Sequence, residues 1–196
     1  METFDLDQKA GEHFTFRKLI ECGETWLESH REGRRVPNLP VQDSSRLAML
    51  QLATTVLDPI WNHYGPITIT YGFCSPELAR LISKKANPGI APAVDQHASC
   101  EVNTSGNVIC SRQGAACDFY VDGMKAQMNE VAHWVANSLR FDSIYYYGKD
   151  RPLHISVGPE MKHTVLLMST DDSGRRKPGR RGNYDKGCGL MKEVNY

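Results

Sequence analysis

Hydrophobic positions recur with helical spacing in the first half of this chain. The clearest case is the stretch 44–64, where apolar residues return every three or four positions and form one stripe. Pro59 lies inside that stretch and predicts a kink or an end of the regular helix there. Shorter helical patterns cover 14–28, 75–85 and 124–139. The chain is therefore predicted to begin with helices and to carry one more helix among its strands.

The other apolar segments are short and rich in β-branched and aromatic residues, which is typical of strands. They cover 67–71, 115–121, 143–147, 153–157 and 163–168. Helices first, then strands with one helix between them, indicate an α+β fold with a small, largely antiparallel sheet. The length of 196 residues suffices for one domain, which we assign to 1–170.

Composition narrows the class of protein. Hydrophobic residues make up 40% and charged residues 23%, the usage of an ordinary globular protein. The formal net charge of zero argues against a protein that coats nucleic acid with its whole surface. No apolar run is long enough to span a membrane, and the acidic N-terminus is unlike a secretory signal. Six cysteines in a chain of this length do not make a disulfide scaffold, so we expect reduced thiols and a cytoplasmic location.

The composition changes in the segment 171–196, which we predict to be a basic, exposed and flexible C-terminal tail. Its basic residues are clustered in seven positions, and they are Arg175, Arg176, Lys177, Arg180 and Arg181. A solvated terminus is one interpretation of this cluster. The other is an anchor for phosphate or another polyanion, including nucleic acid.

Three residues are candidate metal ligands. His97 follows Asp95-Gln96, Asp118 closes the run Gly114-Ala-Ala-Cys-Asp, and His154 lies in a predicted strand. Two neutral imidazoles and one carboxylate suit Zn²⁺, and three protein ligands leave the fourth position open for water. Such a water has a pKa near 7 and can act as a nucleophile.

The order of several blocks between His13 and Pro159 resembles the zinc D-Ala-D-Ala carboxypeptidase-like family, in the phage-type branch of the Hedgehog/DD-peptidase superfamily. The blocks are His13-Phe-Thr-Phe-Arg-Lys-Leu-Ile, Leu47 through Pro59, Pro66-Ile-Thr-Ile-Thr-Tyr-Gly-Phe-Cys-Ser-Pro-Glu-Leu, Asp95-Gln-His, Gly114-Ala-Ala-Cys-Asp, and Phe141-Asp-Ser-Ile through His154-Ile-Ser-Val. Two of them resemble the halves of the family's Ser-x-His-x-x-Gly-x-Ala-x-Asp motif.

The resemblance implies a fold, a cofactor and a reaction. The fold would be a small antiparallel sheet with helices on one face. One zinc ion would be held by His97, Asp118 and His154, and the reaction would be hydrolysis of an amide or peptide bond. The substrate would be a cell-wall peptide, as for a phage lytic enzyme released by lysis, or a modified or non-peptidoglycan molecule.

The motif is interrupted between its two halves. His97 and Asp118 are 21 positions apart, so a segment of about 99–111 is inserted relative to the family. The inserted segment predicts a β-hairpin with Gly106 in its turn and Cys100 opposite Cys110. These two thiols can pack, form a disulfide or bind a metal.

The family's turn normally reads Gly-Tyr-Arg-Ser, and its arginine holds a substrate carboxylate. This chain has Cys74 at the arginine position, and a thiol cannot clamp a carboxylate. Arg112 in the insertion and Arg151 are the candidate replacements. Tyr146, in a run of three tyrosines, is a candidate for binding substrate through its phenol, although packing in the core is the alternative.

Many family members carry a glutamate shortly before the last histidine as the general base. Here the position three before His154 is Arg151, and the nearest carboxylate is Asp150. We therefore predict Asp150 as the catalytic base, against the alternative of an ordinary turn residue. A protein that kept the zinc ligands and lost the base would be a zinc-stabilised binding module, which is the alternative function.

Overall fold

The computed structural model describes residues 4–85, 95–170, 172 and 176–182. Within them, the helices are α1 Phe16–Ile20, α2 Glu24–Arg31, α3 Asp43–Leu52, α4 Asp58–Tyr64, α5 Pro76–Ile82 and α6 Met128–Ser138. The strands are β1 Ile67–Tyr71, β2 Ala115–Val121, β3 Ser143–Tyr146, β4 Leu153–Val157, β5 Thr164–Thr170 and β6 Arg176–Gly182. No helix in this described part of the chain combines the length and apolar character needed to cross a bilayer.

The six strands form one sheet in the order β1-β2-β4-β3-β5-β6. All neighbours are antiparallel except β3 and β5, which run parallel. The α+β class and the predominance of antiparallel pairing are confirmed. The parallel pair arises because the connection from β4 to β5 passes over β3 and enters the sheet on its far side.

One face of the sheet forms the wall of the main hydrophobic core. Alternate residues of each strand point to this face, as the two-residue period of a strand requires. On β2 they include Cys117 and Phe119, and on β4 they include Ile155, all three with no exposed surface. The helices that pack here, principally α3, α4 and α6, present apolar residues such as Leu52 and Val131 to the same core.

Apolar packing is not confined to that face. A second cluster joins Trp26 of α2 and Leu78 of α5 to Tyr71 at the end of β1. The pairing of β1 with β2 shifts register between Ile69 and Tyr71, which sets Tyr71 opposite Asp118 on the other face of the sheet. The expectation of helices on one face therefore holds for the main core and is wrong for α2 and α5.

The predicted long helix is continuous but irregular. One wide π-helical turn, Ala53–Leu57, connects α3 to α4. It lies directly before Pro59, which has no N–H and whose ring would meet the carbonyl of Thr55 in a regular α-helix. The wide turn absorbs the distortion that the sequence predicts as a kink, so the apolar stripe continues through it.

Two other helices differ from the sequence pattern at their bounds. The pattern over 14–28 is divided into α1 and α2 by Gly23, whose φ of 90° is incompatible with an α-helix. The pattern over 124–139 becomes helical only at Met128. The start of α5 is as predicted, with the Ser75 hydroxyl accepting a hydrogen bond from the Leu78 N–H at 3.1 Å.

The inserted segment forms the predicted hairpin. Val102 pairs with Val108, and the Asn103 N–H donates to the Asn107 carbonyl at 2.8 Å. Continuing this register sets Cys100 opposite Cys110. Both thiols are free, with Cys110 buried and Cys100 half-buried, so the structure supports packing rather than a bond.

The basic segment differs most from its prediction. The sequence predicts a flexible tail, whereas Arg176–Gly182 is an edge strand paired with β5. Its residues before Gly182 are all exposed, as expected. Arg175 and the stretch 183–196 lie outside the described residues.

Candidate metal centre

Three separate elements bring the candidate ligands together. His97 lies on a short 3-10 turn, Gln96–Ala98, that follows the Asp95 N-cap. Asp118 lies on β2 and His154 on β4, and the register of the two strands sets these residues directly opposite each other. Tertiary structure thus unites three residues that are far apart along the chain.

The donor atoms converge on one point. His154 Nδ1 lies 2.8 Å from Asp118 Oδ1, and His97 Nε2 lies 3.4 Å from the same oxygen. One donor atom from each residue lies within 4.8 Å of the others. Among the described residues this is the one His/Cys/Asp/Glu group with metal-site geometry. We call His97, Asp118 and His154 the triad.

The triad is withdrawn from solvent, and His97 is fixed in orientation. The residues His97 and His154 are only 2% and 1% exposed. His97 Nδ1 lies 2.7 Å from the Gly72 carbonyl and donates its proton to it, so in the neutral ring Nε2 is the nitrogen that can bind a metal. The Asp95 carboxylate caps the turn through the His97 N–H at 3.0 Å.

A buried side-chain pair anchors the turn that carries His97. Gln96 Nε2 donates to Asp142 Oδ2 at 2.9 Å and to the Val157 carbonyl at 3.2 Å. Gln96 has no exposed surface, and Asp142 is 4% exposed. Because Val157 ends β4, this contact ties the turn to the strand that presents His154. The position of the turn that carries His97 relative to the strand that carries His154 is therefore well constrained.

Electrostatics favours a charged carboxylate within the triad. Burial alone would raise the pKa of Asp118, but hydrogen bonds from His154 and His97 outweigh burial and hold that pKa well below its usual range. Burial lowers the pKa of His97, whereas the charges of Asp95 and Asp118 raise it, and the balance is upward. A negative group among nitrogen donors is the arrangement that a divalent cation requires.

The spacing of the donor atoms is compatible with a metal ion, and zinc geometry is the reference for comparison. Ligands at about 2.0–2.1 Å from a tetrahedral centre lie about 3.4 Å from one another. The separation of 3.4 Å between His97 Nε2 and Asp118 Oδ1 matches that value, and the contact of 2.8 Å between His154 Nδ1 and Asp118 Oδ1 is tighter. The buried His97–Asp118–His154 group could therefore hold a metal ion.

Two aromatic rings line the triad. Tyr145 stacks on the His154 ring with centroids 4.3 Å apart and an interplanar angle of 10°. Tyr71 meets the His97 ring edge-on at 4.3 Å. Neither residue is among the site residues predicted from the sequence. For Tyr145, the two-residue alternation along β3 was the available signal, but choosing the correct face requires the β3–β4 register, which pairs Tyr145 with His154.

Arg112 reaches this aromatic wall from the end of the inserted hairpin. Its guanidinium carbon lies 5.7 Å from the Tyr145 ring centroid, and Nη1 lies 3.4 Å from the Ser143 hydroxyl. Burial lowers the pKa of Arg112, but the charge and hydrogen bonding of Tyr145 outweigh it, so the pKa is raised. The insertion thus delivers a cation next to the ring that covers His154.

The other predicted side chains lie elsewhere. Tyr146 is 7% exposed and belongs to the main core, on the opposite face from Tyr145. Its phenol therefore does not face the triad, because adjacent residues of a strand point to opposite sides. Arg151 is exposed in the β3–β4 turn, where its N–H bonds to the Gly148 carbonyl.

Asp150 is exposed in the same turn. Its backbone carbonyl accepts a hydrogen bond from the Tyr120 phenol at 3.0 Å. Burial is the main cause that raises the pKa of Tyr146 to about 12, and the charge of Asp150 adds to this effect. Within the described residues, no hydrogen bond or ion pair joins the Asp150 carboxylate to the triad.

Three cysteines lie close to the triad in the packing around it. Burial raises the pKa of Cys22 and of Cys74 to about 12 and raises that of Cys117 well above its ordinary value. Without a metal nearby, these thiols are therefore protonated at neutral pH, and a protonated thiol is a poor nucleophile. Cys117 faces the main core, on the other side of β2 from Asp118, and none of the three thiols belongs to the group of donor atoms with metal-site spacing.

Comparisons with protein-family models, curated proteins and solved structures found no match to this chain. The geometry of the triad and its surroundings is therefore the basis from which a function is inferred.

Proposed function

We propose that this protein is a zinc-dependent hydrolase of an amide or peptide bond, with an altered substrate site compared with the DD-carboxypeptidases it resembles. The observation that carries the proposal is the convergence of His97, Asp118 and His154 donors on one buried point. When bound there, zinc would supply Lewis acidity toward a carbonyl and a lowered pKa for water.

The residues around the triad support this role by fixing its shape. The Gly72 carbonyl sets the tautomer of His97, and the Gln96–Asp142 pair holds the backbone that carries it. Tyr145 covers one face of His154 and restricts access to it from that side. A rigid, partly dry donor set is what a reaction at a metal centre requires, because misplaced ligands cost rate.

Arg112 is the proposed replacement for the family's arginine. Its guanidinium stacks over Tyr145, and Tyr145 stacks over His154. In this arrangement Arg112 can orient a carbonyl or carboxylate of the substrate from the side of the hairpin. Arg112→Lys keeps the charge but loses the planar fork, so we expect KM to rise while zinc content is unchanged.

The first experiment is elemental analysis of purified wild type beside His154→Ala. We expect close to one zinc per chain in the wild type and loss of zinc in the variant. His30→Ala is the matched control, because His30 is exposed on α2 and stacks only on Trp26. Wild-type protein that is purified without chelator and still contains no zinc after zinc has been added would contradict the proposal.

The second experiment separates an enzyme from a binding module. A set of peptides, including D-amino-acid and branched amides, is incubated with zinc-loaded protein, and products are identified by mass spectrometry. Asp150→Asn tests the predicted base: a loss of about 10²-fold or more in kcat with zinc retained supports it. Zinc binding without hydrolysis of any peptide favours the zinc-stabilised binding module.

A further inference from the structure

The triad belongs to a row of residues that crosses the whole sheet. The strand registers pair Asp118 with His154, His154 with Tyr145, Tyr145 with Leu166, and Leu166 with Arg181. Residues paired across a sheet point to the same face. Arg181 of the edge strand β6 therefore lies on the face that carries the triad, in line with it.

A second cation of β6 reaches the same face. The guanidinium carbon of Arg176 lies 4.5 Å from the centroid of the Tyr147 ring. Tyr147 follows Tyr145 by two positions, so both side chains lie on the triad face. Burial and the charge of Asp118 raise the pKa of Tyr147, while Arg176 lowers it, which agrees with a phenol placed between the triad and Arg176.

The positive charge of β6 is not balanced by acidic residues in β5 or β6. The sequences of β5, TVLLMST, and β6, RKPGRRG, contain no acidic residue. Arg176 and Arg181 are both exposed. The exposed Asp172, in the connection between the two strands, is the nearest described carboxylate along the chain.

Strand spacing sets the distance from the triad to this cationic end. His154 and Arg181 are three strands apart, and neighbouring strands lie about 4.8 Å apart, so the backbones are separated by about 14 Å. An extended peptide advances about 3.3 Å per residue and covers that span in about four residues. Tyr145 and Leu166 lie between His154 and Arg181 on this face of the sheet, so a peptide that spans the distance would cross them.

We propose that Arg181 forms an anion subsite for an extended substrate that carries a carboxylate or phosphate about four residues from the bond cleaved at the triad. Arg176, which pairs with Thr170 four residues along β5 from Leu166, adds positive charge to the same face. This inference rests on the proposed function and names its substrate class. Lys177 of the same strand is the matched control, because it pairs with Ser169 and therefore points to the opposite face from Arg176.

The test uses fluorescein-labelled alanine peptides that end in a hydroxamate, a group that binds zinc and so fixes the register. One glutamate or phosphoserine is placed two, four or six residues from the hydroxamate, and affinity for zinc-loaded protein is measured by fluorescence anisotropy. We expect the four-residue placement to bind about tenfold more tightly than the all-alanine peptide. The glutamate and phosphoserine series show whether carboxylate or phosphate is preferred.

Arg181→Gln should remove most of that advantage, Arg176→Gln should reduce it less, and Lys177→Gln should leave it intact. Equal loss in Lys177→Gln, or no preference for the acidic peptide over the neutral one, would overturn the subsite. Tighter binding of a single-stranded oligothymidylate, weakened equally by all three variants, would assign the strand to nucleic acid instead.

The two proposals fail separately in this design. If chelator does not weaken hydroxamate binding, the zinc assignment fails, yet the acidic-against-neutral comparison still reports on the anion subsite. If chelator abolishes hydroxamate binding but charge and position have no effect, zinc is retained and the subsite is refuted. Thermal melting of each variant checks that the fold is unchanged.

Discussion

At the scale of single residues, the triad depends on a glycine that contacts no metal. The Gly72 carbonyl accepts the hydrogen bond from His97 Nδ1. A methyl group on Gly72 would overlap the Leu19 carbonyl and lie 3.0 Å from the Cys22 sulfur. Both neighbours are buried, so the backbone at 72 would have to move and carry its carbonyl away from His97.

We therefore predict that Gly72→Ala weakens zinc binding by about 10- to 100-fold, the usual effect of disturbing a partner of a metal-bound histidine. Competition with a fluorescent chelator measures the affinity. Gly106→Ala in the hairpin turn is the control, because nothing lies within 4 Å of its added methyl group and only its positive φ is penalised. Equal zinc affinity in both variants would contradict this role for Gly72.

The buried thiols provide a second prediction at this scale. The pKa of Cys22 rises from 9.0 to about 12 on burial, which lowers its thiolate fraction by about 10³ at any pH well below 9. Alkylation at pH 8 should therefore label the half-buried Cys100 well before Cys22, Cys74 and Cys117. Mass spectrometry of a timed iodoacetamide reaction gives the order, and rapid native labelling of Cys117 would refute it.

At the scale of elements, the inserted hairpin is locked to the start of α3. Glu101 is 2% exposed, and one of its carboxylate oxygens accepts from the N–H groups of Val41 and Gln42 at 3.0 and 3.1 Å. The Cys100 N–H adds a bond to the Ser45 hydroxyl. The Glu101 contacts satisfy the N–H groups of the two residues that precede α3, and together with the Cys100 contact they connect the hairpin that carries Arg112 to the start of that helix.

Glu101→Ala should lower the free energy of unfolding by about 2–3 kcal/mol, because it leaves two N–H groups near the helix start without their acceptor. Glu101→Gln keeps an acceptor oxygen and should cost clearly less. Urea unfolding followed by circular dichroism provides both values. If the alanine and glutamine variants are equally stable, the carboxylate does not hold the hairpin in place.

The basic strand β6 shows why an element can be missed in a sequence. Its residues are charged, proline or glycine, with no apolar alternation from which to predict a strand. Edge strands often carry Lys, Arg and Pro, because these residues discourage pairing with another chain. Pro178 fits this position, since a proline in a central strand would remove a ladder hydrogen bond. Only the pairing with β5 identifies the segment as part of the sheet.

At the scale of the whole molecule, a bound metal would connect parts that fold from distant stretches of chain. The 3-10 turn, β2 and β4 each contribute one ligand, and the triad lies between the main core and the cluster around Tyr71. A ligand that binds only the folded state stabilises it by an amount set by its concentration and affinity. With a metal bound, the triad would therefore stabilise the fold as well as serve as a candidate reaction centre.

Removal of the metal should lower the melting temperature. At free zinc about 100-fold above its dissociation constant, binding adds about 2.7 kcal/mol to the free energy of unfolding, and chelation removes that contribution. Differential scanning calorimetry with and without chelator measures the shift, which should be several degrees for a chain of this size. His154→Ala should melt at the same temperature in both conditions. A similar shift in that variant would show that the chelator acts elsewhere.

The sequence alone was enough to predict the class of fold, three strands with their bounds, the Ser75 cap, the hairpin and the three candidate ligands. Those predictions rest on local signals: alternation in strands such as Ile67–Tyr71, and residue types with metal affinity such as His97. Local chemistry decides them because each depends on residues near one another in the chain.

Tertiary structure alone decided which side chains share the triad face. The β3–β4 register places Tyr145, and not Tyr146, beside His154. The pairing of β6 with β5 brings Arg181 into the same row. A shift of one residue in either register would send those side chains to the opposite face. Strand register is set by pairing between distant segments and by burial of the common core, and neither is encoded within a short stretch of sequence.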